Sequence, residues 1–256
     1  MALRTGASRT STPESSTVIA RDTLSEKVYA RLRAGLMTGS YEPGERMNIS
    51  RIARTFDTSP TPVREAMMQL VREGALELRP GHRLRVPGMD LERYVEVRAI
   101  RIPLERLAAE LAAQHITPNE IMELEYQARR CLDAEERELW KEALVANQEF
   151  HFAIYRASRS PMLVRVIENL WLLTGPFINH LYPGQVQYYR SGEPHGRILR
   201  ALKARDSAEA AAAVEHDIMS GSETIIARTR DPQDRTKTET ERKRRSRSER
   251  VGAALT

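Results

Sequence analysis

The sequence predicts a mainly α-helical protein: three short helices and a β-hairpin at the front, then an all-α bundle of six helices. Three observations carry this. Apolar residues recur at helical spacing along most of the chain. One stretch, ALELRPGHRLRV, instead alternates apolar and polar residues around a Gly-containing turn, as a hairpin does. From Asp90 to Arg228 the pattern returns to the helical period and offers no convincing strand.

Bulk numbers narrow the class. The chain has 256 residues, 41% hydrophobic and 29% charged, which fits a soluble globular protein with a real core. No apolar run approaches the roughly 18 residues of a membrane-spanning helix. The opening MALRTGASRTSTPESST lacks the apolar segment of a signal peptide. Cys131 is the single cysteine, so no internal disulfide forms, and a reducing cytoplasm is the expected setting. Charge is uneven: residues 21–86 carry +4, residues 87–227 carry −5 and residues 228–256 carry +5. A basic front suits a polyanion partner; ordinary surface charge explains it equally well.

The elements follow in order. Residues 1–20, rich in Ser and Thr without periodicity, are expected to be a disordered tail. TLSE at 23–26 reads as a capping box that opens a helix through Val28, Leu32 and Leu36 to Gly39. YEPGERM is a turn; a short helix carries Ile49, Ile52, Ala53 and Phe56. DTS breaks it, and Ser59 is a candidate N-cap for a helix through Val63, Met67, Leu70 and Val71 to Gly74. The hairpin completes a unit over 21–87. The second unit, 88–228, opens at Asp90 with Leu91, Val95, Ile102, Leu104 and Leu111 as core candidates and with Pro103 expected to kink the helix. TPNE at 117–120 is another capping box. Further helices are expected over 136–157, from Ser160 towards Tyr182, near 185–204 and over 207–228. Residues 229–256 read as a disordered basic tail.

The pair 49–56 and 60–73 has helix-turn-helix proportions, in which the second helix enters the DNA major groove with its N-terminal residues at the base edges. Ser59, Thr61 and Arg64 lie at that end, where backbone N–H groups and the helix dipole favour phosphate. Arg64 can pair with a guanine edge or grip phosphate. Gly81, His82 and Arg83 form the hairpin tip, a candidate wing. A small helical domain with a solvated arginine is the plain alternative.

The stretch YEPGERM…SRIARTF…SPTPVREAMMQLVREGAL…PGHRLRV resembles the winged helix of the GntR family of bacterial regulators. The resemblance covers nearly all of 24–86. It implies DNA contacts for Arg64 and Gly81, with Ser59 and Thr61 matching as well. Pro60 departs from the pattern, because the family often has a base-reading Arg there. A proline offers neither charge nor donor, which turns attention to Arg51 and Arg54.

Three of the six histidines stand out. Asn147 and His151 lie four apart, on one helical face. His195 opens the next-to-last helix, and His216 lies mid-helix in AAAVEHDIM. Imidazoles from three helices can converge inside a bundle, where bundles build metal sites. On the residues alone, histidines scattered over separate helices are more often separate. Residues 90–228 also resemble the all-helical FCD ligand domain of the FadR-like GntR branch. That resemblance implies a metal set of Asn147, His151, His195 and His216, with a divalent ion, Zn or Ni first. It also implies that Arg101 binds a carboxylate of the effector, a role its forked guanidinium suits. Asn147 departs from the commoner Asp and brings no negative charge.

The expectation is a ligand-responsive transcriptional regulator of the repressor type, not an enzyme. It would be a homodimer on a near-palindromic double-stranded DNA operator, with a small carboxylate effector and no membrane partner. One rival is a metal-dependent hydrolase with a DNA-binding appendage, but Glu149, two residues from His151, points away from it on a helix. The other is a sequence-indifferent DNA-packaging protein using ERKRRSRSER.

Overall fold

The computed structural model describes residues 16–81, 83–88, 90–178, 181 and 189–230, with side chains from Leu24 onward. Both expected terminal tails fall mainly outside this range. Among the described residues the order is α1 (Ser16–Met37), α2 (Ile49–Thr55), α3 (Pro60–Arg72), β1 (Glu77–Arg79), β2 (Arg83–Arg85), α4 (Leu91–His115), α5 (Pro118–Glu136), α6 (Trp140–Ala157), α7 (Pro161–Ile178), α8 (Gly192–Ala204) and α9 (Ser207–Arg230). No described helix is long and apolar enough to cross a membrane.

α1 begins seven residues before Thr23, so TLSE lies inside the helix rather than at its cap. STVIARD contains no Gly or Pro to stop the chain from continuing backwards. Asn48 caps α2 by accepting the Arg51 amide at 2.9 Å. α3 starts with Pro60 and Pro62 in its first turn, where a missing N–H costs nothing. Its inner face buries Pro62, Val63, Ala66, Met67 and Leu70 against α1. β1 and β2 pair antiparallel with Leu78 opposite Leu84, and Gly81 turns the chain at φ +79.

The six later helices form the expected bundle. α4 starts where Asp90 accepts the Arg93 amide, and α5 closes the Thr117/Glu120 capping box. α4 is helical through Pro103, whose ring faces solvent. Its buried face differs from the expected one. Leu91, Ile102, Leu104 and Leu111 are half-buried and Val95 is exposed, while Tyr94, Val97, Arg101, Glu105, Ala108, Ala109, Ala112 and Ala113 point inward. Ranking by hydrophobicity missed this because an Arg/Glu pair and a run of alanines line the interior.

One apolar core runs unbroken from Val28, Leu32 and Leu36 of α1 into Phe152, Trp171 and Leu172 of the bundle. The front unit is therefore packed against the bundle rather than tethered to it. At the closest point, a Cβ on Gly175 of α7 would lie 2.0 Å from the Leu36 carbonyl oxygen. Only glycine lets these helices approach so closely.

Candidate metal centre and nucleic-acid interface

Between α2 and α3 the chain turns through Asp57 at φ +50. The amide of Thr58 donates to the Ala53 carbonyl at 2.9 Å, which sets the angle between the two helices. Ser59 stands at the N-cap position with extended backbone, but its side chain makes no capping bond. Arg51, Arg54, Ser59, Thr61 and Arg64 are all exposed, as is Gly81 at the hairpin tip. They form the polar faces of the helix pair, opposite the apolar face that packs on α1. Arg51 makes an ion pair with Glu45 at 3.2 Å, so its charge is partly committed within the chain. His82 lies outside the described residues.

The second site is buried in the bundle. His151 and His195, from α6 and α8, meet Asp217 of α9. One potential ligand atom from each lies within 4.8 Å of the others, and all three residues are buried. His151 Nε2 is 3.0 Å from Asp217 Oδ2. Asn147 Oδ1 is 3.2 Å from His195 Nε2. Tyr189 donates to Asp217 Oδ1 at 2.7 Å. Phe150 stacks on the His195 ring at 4.0 Å and 19°, which fixes its plane.

His216 is not part of this group. It is exposed, one position off the inner stripe of α9. That stripe runs Ala210, Ala213, Val214, Asp217, so the residue that faces the two histidines is Asp217. The helical period along Ala210, Ala213 and Val214 leads to Asp217, whereas the family resemblance implied His216.

Burial pushes the His195 imidazole down to about 3, against an opposing pull from Asp217. His195 is therefore neutral, the form in which imidazole binds a metal. For Asp217, burial opposes ionisation, but the His151 hydrogen bond and the two imidazoles outweigh it and hold the carboxyl below its ordinary range. Two imidazole nitrogens, a carboxylate and an amide oxygen form a donor set that suits Zn or Ni. The Nδ1 of His195 is buried and has no hydrogen-bond partner among the described residues, whereas a ring whose other nitrogen binds an ion almost always donates that N–H to a neighbouring acceptor.

Arg101 sits beside this group, in company that sequence alone did not reveal. Its Nε donates to Glu105 Oε1 at 2.6 Å, and its two terminal nitrogens reach Glu105 Oε2 at 3.4 Å and Thr174 Oγ1 at 3.2 Å. Glu105 also accepts from Trp171 Nε1 at 3.0 Å and from the Tyr155 hydroxyl. Tyr155 in turn is 3.3 Å from His151 Nδ1. Burial, and then the Glu105 charge, push the Tyr155 phenol well above its ordinary range, so it stays a neutral donor. A continuous polar chain thus runs from Thr174 through Arg101, Glu105 and Tyr155 to the histidines. The fork expected to meet an effector carboxylate already holds one from its own helix.

With this geometry in view, the likenesses to known proteins are specific. Residues 24–86 match bacterial regulatory proteins of the gntR family, and residues 96–219 match the FCD domain. The chain is 33% identical over 187 residues to the HTH-type transcriptional regulator McbR of Escherichia coli K12, spanning 72% of this chain and 84% of that one. It is 30% identical over 147 residues to the HTH-type transcriptional regulator YdhC of Bacillus subtilis, 56% of this chain and 64% of that one. A solved structure of E. coli McbR/YncC superposes with a TM-score of 0.76 at 29% identity, covering 80% of this chain and 98% of that one. A GntR regulator from Rhodococcus sp. RHA1 shares the fold, with a TM-score of 0.66 at 17% identity, 80% of this chain and 98% of that one. These relatives are described as transcriptional regulators and not as enzymes.

Proposed function

This chain belongs to the gntR family of bacterial regulatory proteins, carries an FCD domain and is a DNA-binding transcriptional regulator; we propose that it is a repressor controlled by a small organic acid bound at a metal in its bundle. The carrying observation is the convergence of His151, His195 and Asp217, with Asn147 beside them, from three separate helices. His151, His195 and Asp217 would hold a divalent ion, with Asn147 as a weak fourth donor; the ion supplies a positive charge, and three protein ligands leave a position open for an oxygen ligand. Charge decides the effector class. Arg101 and Glu105 pair with each other, and the Asp217 carboxylate at the centre opposes the entry of a second carboxylate. A divalent cation reverses the sign and favours an acid. Arg101 contributes the two of its five N–H groups not already donated.

On the DNA side, Ser59, Thr61 and Arg64 would address the major groove, Arg54 and Arg51 the adjoining backbone, and Gly81 and His82 the wing contact. A homodimer on a near-palindromic operator is supported by an apolar ridge on the outer face of α4. Ile100 and Leu107 are 47% and 44% exposed, with exposed Pro103 between them. A ridge of this kind can meet its own copy about a two-fold axis, as the symmetry of a dimer requires.

The experiment is metal analysis of untagged full-length protein, followed by operator footprinting with candidate acids. Near one ion per chain, and a discrete protected palindrome released by an acid only when metal is present, is the expected result. Uniform DNA coverage, or release by the acid from metal-stripped protein, would overturn the reading.

A further inference from the structure

Ser191 precedes α8 and occupies its N-cap position, yet its hydroxyl makes no capping bond. The residue is completely buried, and its Oγ has no hydrogen-bond partner among the described residues. The backbone is nonetheless held firmly. The Ser191 amide donates to the Glu135 carboxylate at 3.2 Å, and its carbonyl accepts the His195 amide at 2.9 Å. Backbone angles of φ −68 and ψ −25 keep Ser191 in helical register with His195, four residues on. Residues so spaced face each other, with Cβ atoms about 5–6 Å apart.

His195 supplies the other half. Its Nε2 is turned towards Asn147 Oδ1, and its Nδ1 is likewise a buried polar atom without a hydrogen-bond partner among the described residues. Two such groups four residues apart at the start of a helix are an uncommon arrangement, since buried polar groups are nearly always bonded. Their chemistry is complementary. An imidazole that gives Nε2 to a metal carries its proton on Nδ1 and needs an acceptor there. A serine hydroxyl, free to rotate among three staggered positions, is such an acceptor.

We infer that Ser191 is the positioning residue of the metal centre: its hydroxyl accepts from Nδ1–H of His195 and so fixes the tautomer that presents Nε2 to Asn147, His151 and Asp217. This rests on the metal reading proposed above. Ser191 touches neither metal nor effector; it acts through His195.

The test uses full-length protein stripped with a chelator and titrated with Zn²⁺ or Ni²⁺ alone against a competing chromophoric chelator. Wild type, Ser191→Ala and Ser191→Thr are compared, and thermal unfolding of each stripped protein is recorded. The expected result is an affinity loss of about 10–100-fold for Ser191→Ala, recovery in Ser191→Thr, and no fall in the unfolding temperature of stripped Ser191→Ala. Wild-type affinity in Ser191→Ala overturns the inference while leaving the metal reading intact. A fall in stripped stability that accounts for the lost affinity also overturns it, because Ser191 would then be a packing residue. Failure of the wild type to bind either ion overturns the metal reading and this inference together.

Discussion

Arg101 and Glu105, one helical turn apart on α4, form a buried two-point ion pair whose remaining partners are Trp171, Thr174 and Tyr155. The guanidinium lies over the Trp171 ring at 4.6 Å, so its flat face is covered as well as its edge. Removing one partner strands the other charge in the interior. Arg101→Ala should therefore destabilise the fold by about 3–5 kcal/mol, measured by urea unfolding of stripped protein. A loss well under about 1 kcal/mol would mean that Glu105 takes up a proton or finds another donor, and that the pair is not structural.

Arg64 has the opposite character. It is exposed and makes no ion pair among the described residues. Arg64→Ala should weaken operator binding by about 1–3 kcal/mol if it reads a base. Unfolding should stay within about 0.5 kcal/mol of wild type. Operator affinity equal to wild type in a gel-shift titration would remove Arg64 from the interface.

Asp217 and His216 are chain neighbours with opposed surroundings. Asp217→Asn keeps the shape but removes the charge that faces His151. It should lower Zn²⁺ affinity by more than the roughly 10–100-fold that outer-shell partners cost. His216→Ala should leave that affinity unchanged. The reverse result in the same competition titration would restore His216 as the ligand.

The α4 ridge predicts the assembly. Ile100→Glu with Leu107→Glu places like charges across a two-fold contact and should yield a monomer by light scattering, with weakened binding to a two-half-site operator. A persistent dimer would move the interface elsewhere.

Gly175 should separate sensing from reading. Gly175→Ala drives a methyl group into the Leu36 carbonyl, so α7 and α1 must part. Zn²⁺ affinity should be retained while operator affinity changes; unaltered operator binding would show that the contact yields without consequence.

The helices and the wing were legible because their signals are local: the prolines opening α3, the Thr117/Glu120 box and the alternation around Gly81. The start of α1 was misread because a good cap motif at Thr23 can equally sit inside a helix. The buried centre was legible in part. Asn147 and His151 share a face by spacing, and His195 lies at the start of its helix. Asp217 was hidden by its histidine neighbour, although the Ala210, Ala213, Val214 stripe points to it. Glu105, Trp171 and Thr174 carry no motif, and their meeting with Arg101 depends on how α4 and α7 cross, which spacing along one chain does not encode. Ser191 resembles an ordinary helix cap in sequence and differs only in what its hydroxyl lacks.

α7 is a wall common to two rooms. Thr174 faces Arg101, and its chain neighbour Gly175 faces Leu36. If the centre binds an acid as proposed, a change on the inner side of α7 that displaces the helix is felt at α1 as well, so the pocket and the DNA-binding unit share one mechanical element.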